Sequence, residues 1–180
     1  MKSRLVALDR RLLELLRTRF HSATREAAAR WYALAGEYGV GWTALALLGA
    51  ARERSARDRW LAAATLVPAT LSINYLLKQV VRRPRPVLED LPPLGRAPRT
   101  SSFPSAHAAT SFCGAQAIST LRPSLRLPLL SAAALMALTR PYLGLHYPSD
   151  AAAGALLGVA IGEFGSRASR AWSKGGSACR

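Results

Sequence analysis

Two of the chain's three histidines stand among residues that give an imidazole something to do. His146 lies six residues after Arg140 and four before Asp150. A carboxylate at that spacing can hold one ring nitrogen, fix the tautomer and leave the other nitrogen a better base or nucleophile. His107 closes the run Phe103-Pro104-Ser105-Ala106-His107. A proline just ahead of a helix start leaves the first backbone N–H groups, near Ala106 and His107, free to face an anion, and the Ser105 hydroxyl adds a donor. Lys78, Arg85 and Arg140 contribute positive charge, two of them as guanidinium forks suited to paired oxygens. A phosphate monoester, with nearly two negative charges and three exposed oxygens on its transferring group, is the anion this set fits. Such an oxyanion cradle is built without metal. A lone histidine in apolar surroundings is usually structural. The chemical reading comes from two of them at the ends of apolar segments, each beside cationic or hydroxyl side chains.

Those segments define the elements that must position the site. Five stretches qualify as spanning or nearly spanning helices: about Ala27–Ala51, Trp60–Val81, Ser105–Leu121, Leu127–Thr139 and Asp150–Phe164. The last two are short for a bilayer unless their polar ends are lined by protein. Gly154, Gly158 and Gly162 recur on one face of the fifth, a spacing that lets helices approach closely in lipid. Ahead of them, Leu5, Leu8, Leu12, Leu15 and Leu16 repeat at helical spacing with Arg4, Arg10, Arg11 and Arg17 largely opposite. That pattern fits an amphipathic helix on a bilayer surface, and equally a helix packed on a protein core. Two connections, 82–104 and 140–149, are too polar to cross lipid. One helical hairpin separates them, so they share a side of the bundle. The expected fold is therefore all-α, a transmembrane bundle of about five spans plus an N-terminal amphipathic helix. It divides into residues 1–25 (amphipathic helix), 26–166 (membrane domain) and 167–180 (basic tail).

Composition agrees with this organisation. Half of the chain is hydrophobic, yet 25 Lys and Arg against 10 Asp and Glu give a formal charge of +15. The positive charges gather in short loops and at the tail, around Arg52–Arg59, Arg82–Arg99 and Arg167–Arg180, as in membrane proteins; a nucleic-acid groove would spread them along folded faces. Met1–Phe20 carries acids and arginines and lacks a continuous apolar core, unlike a cleavable signal peptide. Cys113 and Cys179 are too far apart in kind and place for a disulfide framework or metal cluster. Trp31, Trp42 and Trp60 fall near helix ends, where aromatic belts form. Asn74 suits an interhelical hydrogen bond more than a substrate contact, and Arg30 and Glu37 either pair or sit at the interface.

Taken in order, K-x6-R-P from Lys78, P-S-A-H from Pro104 and R-x5-H-x3-D from Arg140 resemble the three-part signature of the type 2 phosphatidic acid phosphatase superfamily. These lipid phosphate phosphatases share their site with vanadium haloperoxidases. Ala106 stands where the family usually has Gly, and Thr139 where it usually has Ser; neither change removes a catalytic group.

The resemblance implies that His146 attacks phosphorus to give a phosphohistidine, Asp150 orients His146, and His107 protonates the leaving oxygen and then activates water. It implies phosphate binding by Lys78, Arg85, Ser105, the Ala106 N–H and Arg140, without cofactor or metal. Arg82 and Arg83 have no family role and read as headgroup contacts or solvated charge ahead of a substrate contact. The implied protein is a multi-pass enzyme of the bacterial cell membrane. Its partners are a lipid phosphate substrate and membrane lipids, with no nucleic acid; its oligomeric state is open. Candidate substrates are a polyprenyl phosphate or diphosphate, phosphatidate, phosphatidylglycerophosphate and a prenyl-linked sugar phosphate. The compact Ala/Arg-rich chain looks like small bacterial members that act on prenyl-phosphoryl pentose phosphates. The competing readings are a basic membrane protein that binds anionic lipid without catalysis, and a vanadate-dependent haloperoxidase.

Overall fold

A computed structural model describes residues 2–88 and 91–177. Seven α-helices carry these residues: α1 (Lys2–Thr18), α2 (Ala23–Ala35), α3 (Val40–Arg52), α4 (Arg57–Val81), α5 (Ala106–Leu121), α6 (Arg126–Tyr142) and α7 (Pro148–Ser177). The all-α expectation holds. One segment, Arg54–Val81, is by itself long and apolar enough to cross a membrane among the described residues.

The expected first span is two helices rather than one. Gly36 ends α2, a 3-10 turn covers Glu37–Gly39, and both Tyr38 (φ 53°) and Gly39 (φ 73°) are left-handed. Gly39 sits against Val67 and Thr110, where a side chain would collide, so glycine serves both the turn and the close approach. Hydropathy alone did not reveal this break because the residues flanking it are apolar on both sides. At the other end, α7 runs well past Phe164 and through the start of the basic tail, with Arg167 Nε on Glu163 Oε1 at 2.7 Å one turn earlier. Cys179 and Arg180 lie outside the described residues.

The centre of the bundle is α5, buried almost without interruption from Ala108 to Ser119 and packed by α3, α4, α6 and α7. Its small residues (Ala108, Ala109, Gly114, Ala115, Ala117) allow neighbours to come close. The glycine stripe of α7 takes this furthest. A β-carbon on Gly154 would strike the Ser105 carbonyl, one on Gly158 the Ala109 carbonyl, and one on Gly162 would lie 2.8 Å from the Cys113 carbonyl. The two helices thus touch backbone to backbone, which fixes the start of α7 against the start of α5.

Two tryptophans belong to this core rather than to an aromatic belt. Trp42 packs on Gly114 and donates from Nε1 to Ser111 Oγ (3.0 Å), and Trp60 packs on Gly49 and donates to Glu53 Oε2 (3.1 Å). Only Trp31 of the three is open, 74% exposed. Burial with a bonded N–H is the cheaper solution for an indole when a glycine offers a flat seat. Arg30 pairs with Glu26 one turn before it and not with Glu37.

The stripe that docks α1 is unexpected. Asp9, Leu13 and Arg17, spaced by four, are buried, whereas Leu5, Leu8, Leu12 and Leu15 face outward. The helix therefore rests on the protein through a stripe with two charged residues and leaves its leucines to the surroundings. Four antiparallel helices then place four ends together, namely the C-termini of α4 and α6 and the N-termini of α5 and α7.

The α5–α7 contact generates a direct expectation. Gly158→Val places two methyls into the α5 backbone and should lower stability by about 1–3 kcal/mol. The measurement is thermal unfolding in detergent micelles; an unchanged Tm would mean that the two backbones are not in contact.

Candidate active site

The two polar connections meet over those four helix ends and are stitched together by backbone. Leu94 N donates to Leu143 O (2.9 Å), Ser105 N to Asp150 O (2.9 Å) and Ser102 N to Arg83 O (2.8 Å). The α1 helix ties to both, through Arg17 NH2 on Pro92 O (2.7 Å) and through Asp9, which accepts from the Ser149 N–H (2.9 Å).

Asp150 is wholly buried and answered from all sides. Its Oδ2 accepts from the Ser102 hydroxyl and from the Tyr147 N–H (2.9 Å), and its Oδ1 accepts from Arg83 NH1 (2.7 Å). His146 Nδ1 stands 3.7 Å from Oδ2, a charge contact longer than a hydrogen bond, and has no other partner. Arg83 NH2 binds Asp9 Oδ2 at 2.8 Å, and the guanidinium lies 4.1 Å above the Tyr147 ring. Arg83 is thus half-buried between two carboxylates, which corrects its reading as a headgroup contact or solvated charge. Arg82, by contrast, is exposed: it takes a left-handed φ (47°) and caps the end of α4 by binding Gln79 O (2.8 Å). Sequence spacing does not reveal Asp9, Arg83 or Ser102, because their partners lie far away in the chain. The one available signal was the isolated acid at Asp9 in line with Leu13 and Arg17.

On the open side of His146 is a cavity of about 220 Å³, lined by Lys78, Arg85, Ala106, His107, Arg140 and His146, with Glu37 and Asn74 also on its wall. The sequence-derived histidines and cations therefore converge on a single space. Lys78 Nζ spends two donors on the carbonyls of Ser101 (2.6 Å) and Ser102 (3.3 Å). Arg85 is held by the carbonyls of Pro98, Thr100 and Leu145, and its NH1 stands 3.1 Å from His146 Nε2. A guanidinium can only donate, so Nε2 presents its lone pair and the proton resides on Nδ1, toward Asp150. Arg140 is buried with Nε unpartnered. The backbone of Ala33, at the end of α2, lies against the His107 ring.

Ser105 and Asp150 stand behind this wall. The Ser105 hydroxyl caps α5 by accepting from Ala108 N–H (3.4 Å), and the next N–H groups, of Ala106 and His107, are left over at the helix start beside the cavity. Ser105 Oγ itself is buried. Asn74 donates from Nδ2 to Pro104 O (3.2 Å), a helix-to-loop bond in place of the expected helix-to-helix one. Among the described residues, no three His, Cys, Asp or Glu side chains gather as metal ligands.

Burial pushes the His146 imidazole down to about 4; Asp150 opposes this shift, and Arg85, Arg140 and Lys78 add to it. The ring is therefore neutral at physiological pH, with its lone pair toward the cavity. Burial also lowers Arg85 from its usual value, partly offset by Asp150.

A helical bundle with an imidazole pair and three cations around one polar cavity defines a class that handles phosphate-like anions. The PAP2 superfamily model matches residues 58–173, from the start of α4 to near the end of α7. The chain belongs to the PAP2 superfamily, and with it carries the lipid-phosphatase type of hydrolase activity typical of that family. A decaprenylphosphoryl-5-phosphoribose phosphatase of Mycobacterium tuberculosis is 40% identical over 136 residues, 76% of each chain. The crystal structure of Aquifex aeolicus LpxE superposes with a TM-score of 0.73 at 22% identity, covering 89% of this chain and 95% of that one. A transmembrane PAP2-type phosphatidylglycerolphosphate phosphatase of Bacillus subtilis superposes with a TM-score of 0.53 at 22% identity, covering 88% and 92%. These two structures establish the likeness of fold.

Two outcomes follow. In histidine-15N-labelled protein, with His146→Asn for assignment, the His146 ring should titrate near pH 4; a midpoint at 6.5 would contradict its desolvation. Because the folded value lies below the unfolded one, the stability linked to this group is full above about pH 6.5 and declines as pH falls toward 4. Arg83→Ala should cost about 2 kcal/mol of stability through the lost charged hydrogen bonds and lower kcat more than it raises KM, with partial recovery in Arg83→Lys. Equal effects of Lys and Ala on kcat would separate Arg83 from the positioning of Asp150.

Proposed function

We propose that this protein is an integral-membrane phosphatase that removes a phosphate from a polyprenyl-type lipid phosphate, through a phosphohistidine and without metal. The observation that carries this reading is the single cavity in which the His146 lone pair, His107 and three cations face one another. The similarity to a decaprenylphosphoryl-5-phosphoribose phosphatase supports a prenyl-linked sugar phosphate as the substrate.

In this mechanism the phosphoryl oxygens sit among Lys78, Arg85, Arg140 and the Ala106 N–H. Ser105 sets the start of α5 from behind the cavity wall. The His146 Nε2 lone pair forms the N–P bond as the P–O bond to the leaving group breaks, and His107 gives its proton to the leaving oxygen. Asp150 balances the positive imidazole. A water then attacks phosphorus, returns a proton to His107 and breaks the N–P bond, releasing phosphate and restoring both histidines.

The bilayer placement belongs to the same proposal. Residues 26–166 form the membrane-embedded phosphatase unit, in which α3 to α7 make about five crossings. The outward residues of these helices, among them Leu45, Leu76, Val80, Leu135, Leu156 and Phe164, suit contact with lipid tails. At roughly 20 Å for α3 and roughly 25 Å for α5 and α6, three of these helices are shorter than a hydrocarbon core, and the polar cavity at the ends of α5 and α6 accounts for the shortfall of those two. The outward leucines of α1 suit the membrane surface beside the cavity mouth, and the setting is a bacterial cell membrane.

Phosphate release from a prenyl-phosphoryl pentose phosphate in detergent micelles with a chelator tests the reading. Wild-type protein should release phosphate, His146→Ala should release none while eluting as folded protein, and His107→Ala should lose about 10²–10⁴-fold. Undiminished release from His146→Ala would defeat the mechanism, and binding without release would favour a non-catalytic lipid binder.

A further inference from the structure

The cavity described above is cationic where a phosphate would lie, yet part of its wall offers only acceptors. Asn74 is 1% exposed, and its Nδ2 is committed to the Pro104 carbonyl, so the amide cannot be reversed. Its Oδ1 is therefore a buried acceptor with no donor, on a residue that lines the cavity. One turn beyond His107 on the adjacent α5, Thr110 donates its hydroxyl proton to the Ala106 carbonyl (3.0 Å), which leaves its oxygen free only to accept. At the lip, the Glu37 carboxylate lies in range of the Arg140 charge.

None of these three groups can serve a phosphoryl oxygen, which is itself an acceptor. A buried carbonyl oxygen left without a donor costs free energy that a ligand hydroxyl would recover. Ammonium is the other donor a ligand could bring. Three cations against one carboxylate on the same wall repel it, and a neutral hydroxyl meets no such opposition.

We infer that Asn74, Thr110 and Glu37 form a leaving-group subsite that reads hydroxyl groups, so that the phosphate removed is borne by a polyol such as a sugar. The inference rests on the phosphatase reading above and assigns residues to the recognition of its substrate's sugar. It places the sugar between the α5 N-terminus and α4, with the phosphate toward Lys78, Arg85 and Arg140. Leu71 and Tyr75, next to Asn74 on α4, carry the apolar continuation of the wall toward the outside of the bundle, where a hydrocarbon chain would leave. Tyr75 is 54% exposed there.

The test compares a prenyl-phosphoryl ribose 5-phosphate with its 2,3-dideoxy counterpart, which differs by two hydroxyls alone. Wild-type protein should favour the hydroxylated compound in kcat/KM by roughly tenfold or more. Asn74→Leu and Glu37→Ala should each erode that ratio severalfold, whatever either does to kcat/KM for the dideoxy compound. A folding defect in Asn74→Leu lowers both substrates together and leaves the ratio intact, and Glu37→Ala alters a side chain at the cavity lip. A wild-type ratio near one, or a ratio unmoved in both variants, overturns the subsite and spares the phosphatase reading. Release from neither compound overturns both.

Discussion

A carboxylate removed from water must be met by donors, and in this protein one such carboxylate organises the functional end of the bundle. Asp150 has no exposed surface, and its donors come from parts of the chain that are far apart. Arg83 follows α4, Ser102 precedes α5, and the Tyr147 N–H lies just ahead of α7. An isolated buried charge would cost several kcal/mol, so the folded state is reached only when both polar connections have closed around it. Asp9 extends the requirement to the N-terminal helix by taking the other side of Arg83. The Asp9–Arg83–Asp150 chain is thus a structural device whose last member faces a histidine.

The backbone contact of α7 with α5 makes that device accurate. Without side chains on Gly154, Gly158 and Gly162, the helices are separated by atoms that cannot change rotamer. The Ser105 N–H to Asp150 carbonyl bond continues the contact to the helix starts. The N-terminus of α5 beside the cavity and the carboxylate behind His146 are consequently fixed in one frame. Sites supported in this way hold their geometry better than sites carried on loops alone.

Much of this was legible before any coordinates. The order and spacing of Lys78, Arg85, His107, Arg140, His146 and Asp150 encode local facts: which helix ends they occupy and which ends lie on the same side. The glycine period on α7 is likewise local. What stayed hidden depends on long-range pairing. Arg83 differs from Arg82 by one position and a left-handed turn, yet one is clamped between two carboxylates and the other is exposed. The break at Gly36–Gly39 lies between apolar stretches that together are long enough to read as one span. Trp42 and Trp60 sit near helix ends in sequence, and only the glycines opposite them in space draw them inward. The stripe that docks α1 was hidden for a related reason: its leucines dominate the periodic signal, while the face that binds carries Asp9 and Arg17.

The resting electrostatics also bear on the order of events. Arg85 NH1 occupies the neighbourhood of the His146 Nε2 lone pair, so the proposed nucleophile is partly covered by the residue meant to hold its target. A neutral imidazole is a weak competitor for a guanidinium beside a phosphate with nearly two charges, since charge-assisted bonds are about twice as strong as neutral ones. Substrate entry would therefore draw Arg85 onto a phosphoryl oxygen and uncover Nε2 in the same movement. Burial and the surrounding cations keep that nitrogen unprotonated until then, and Asp150 becomes most useful once the N–P bond makes the ring positive. In the proposed mechanism the same three cations thus act in succession: together with burial they keep the imidazole neutral while the cavity is empty, and they bind the phosphate when it arrives.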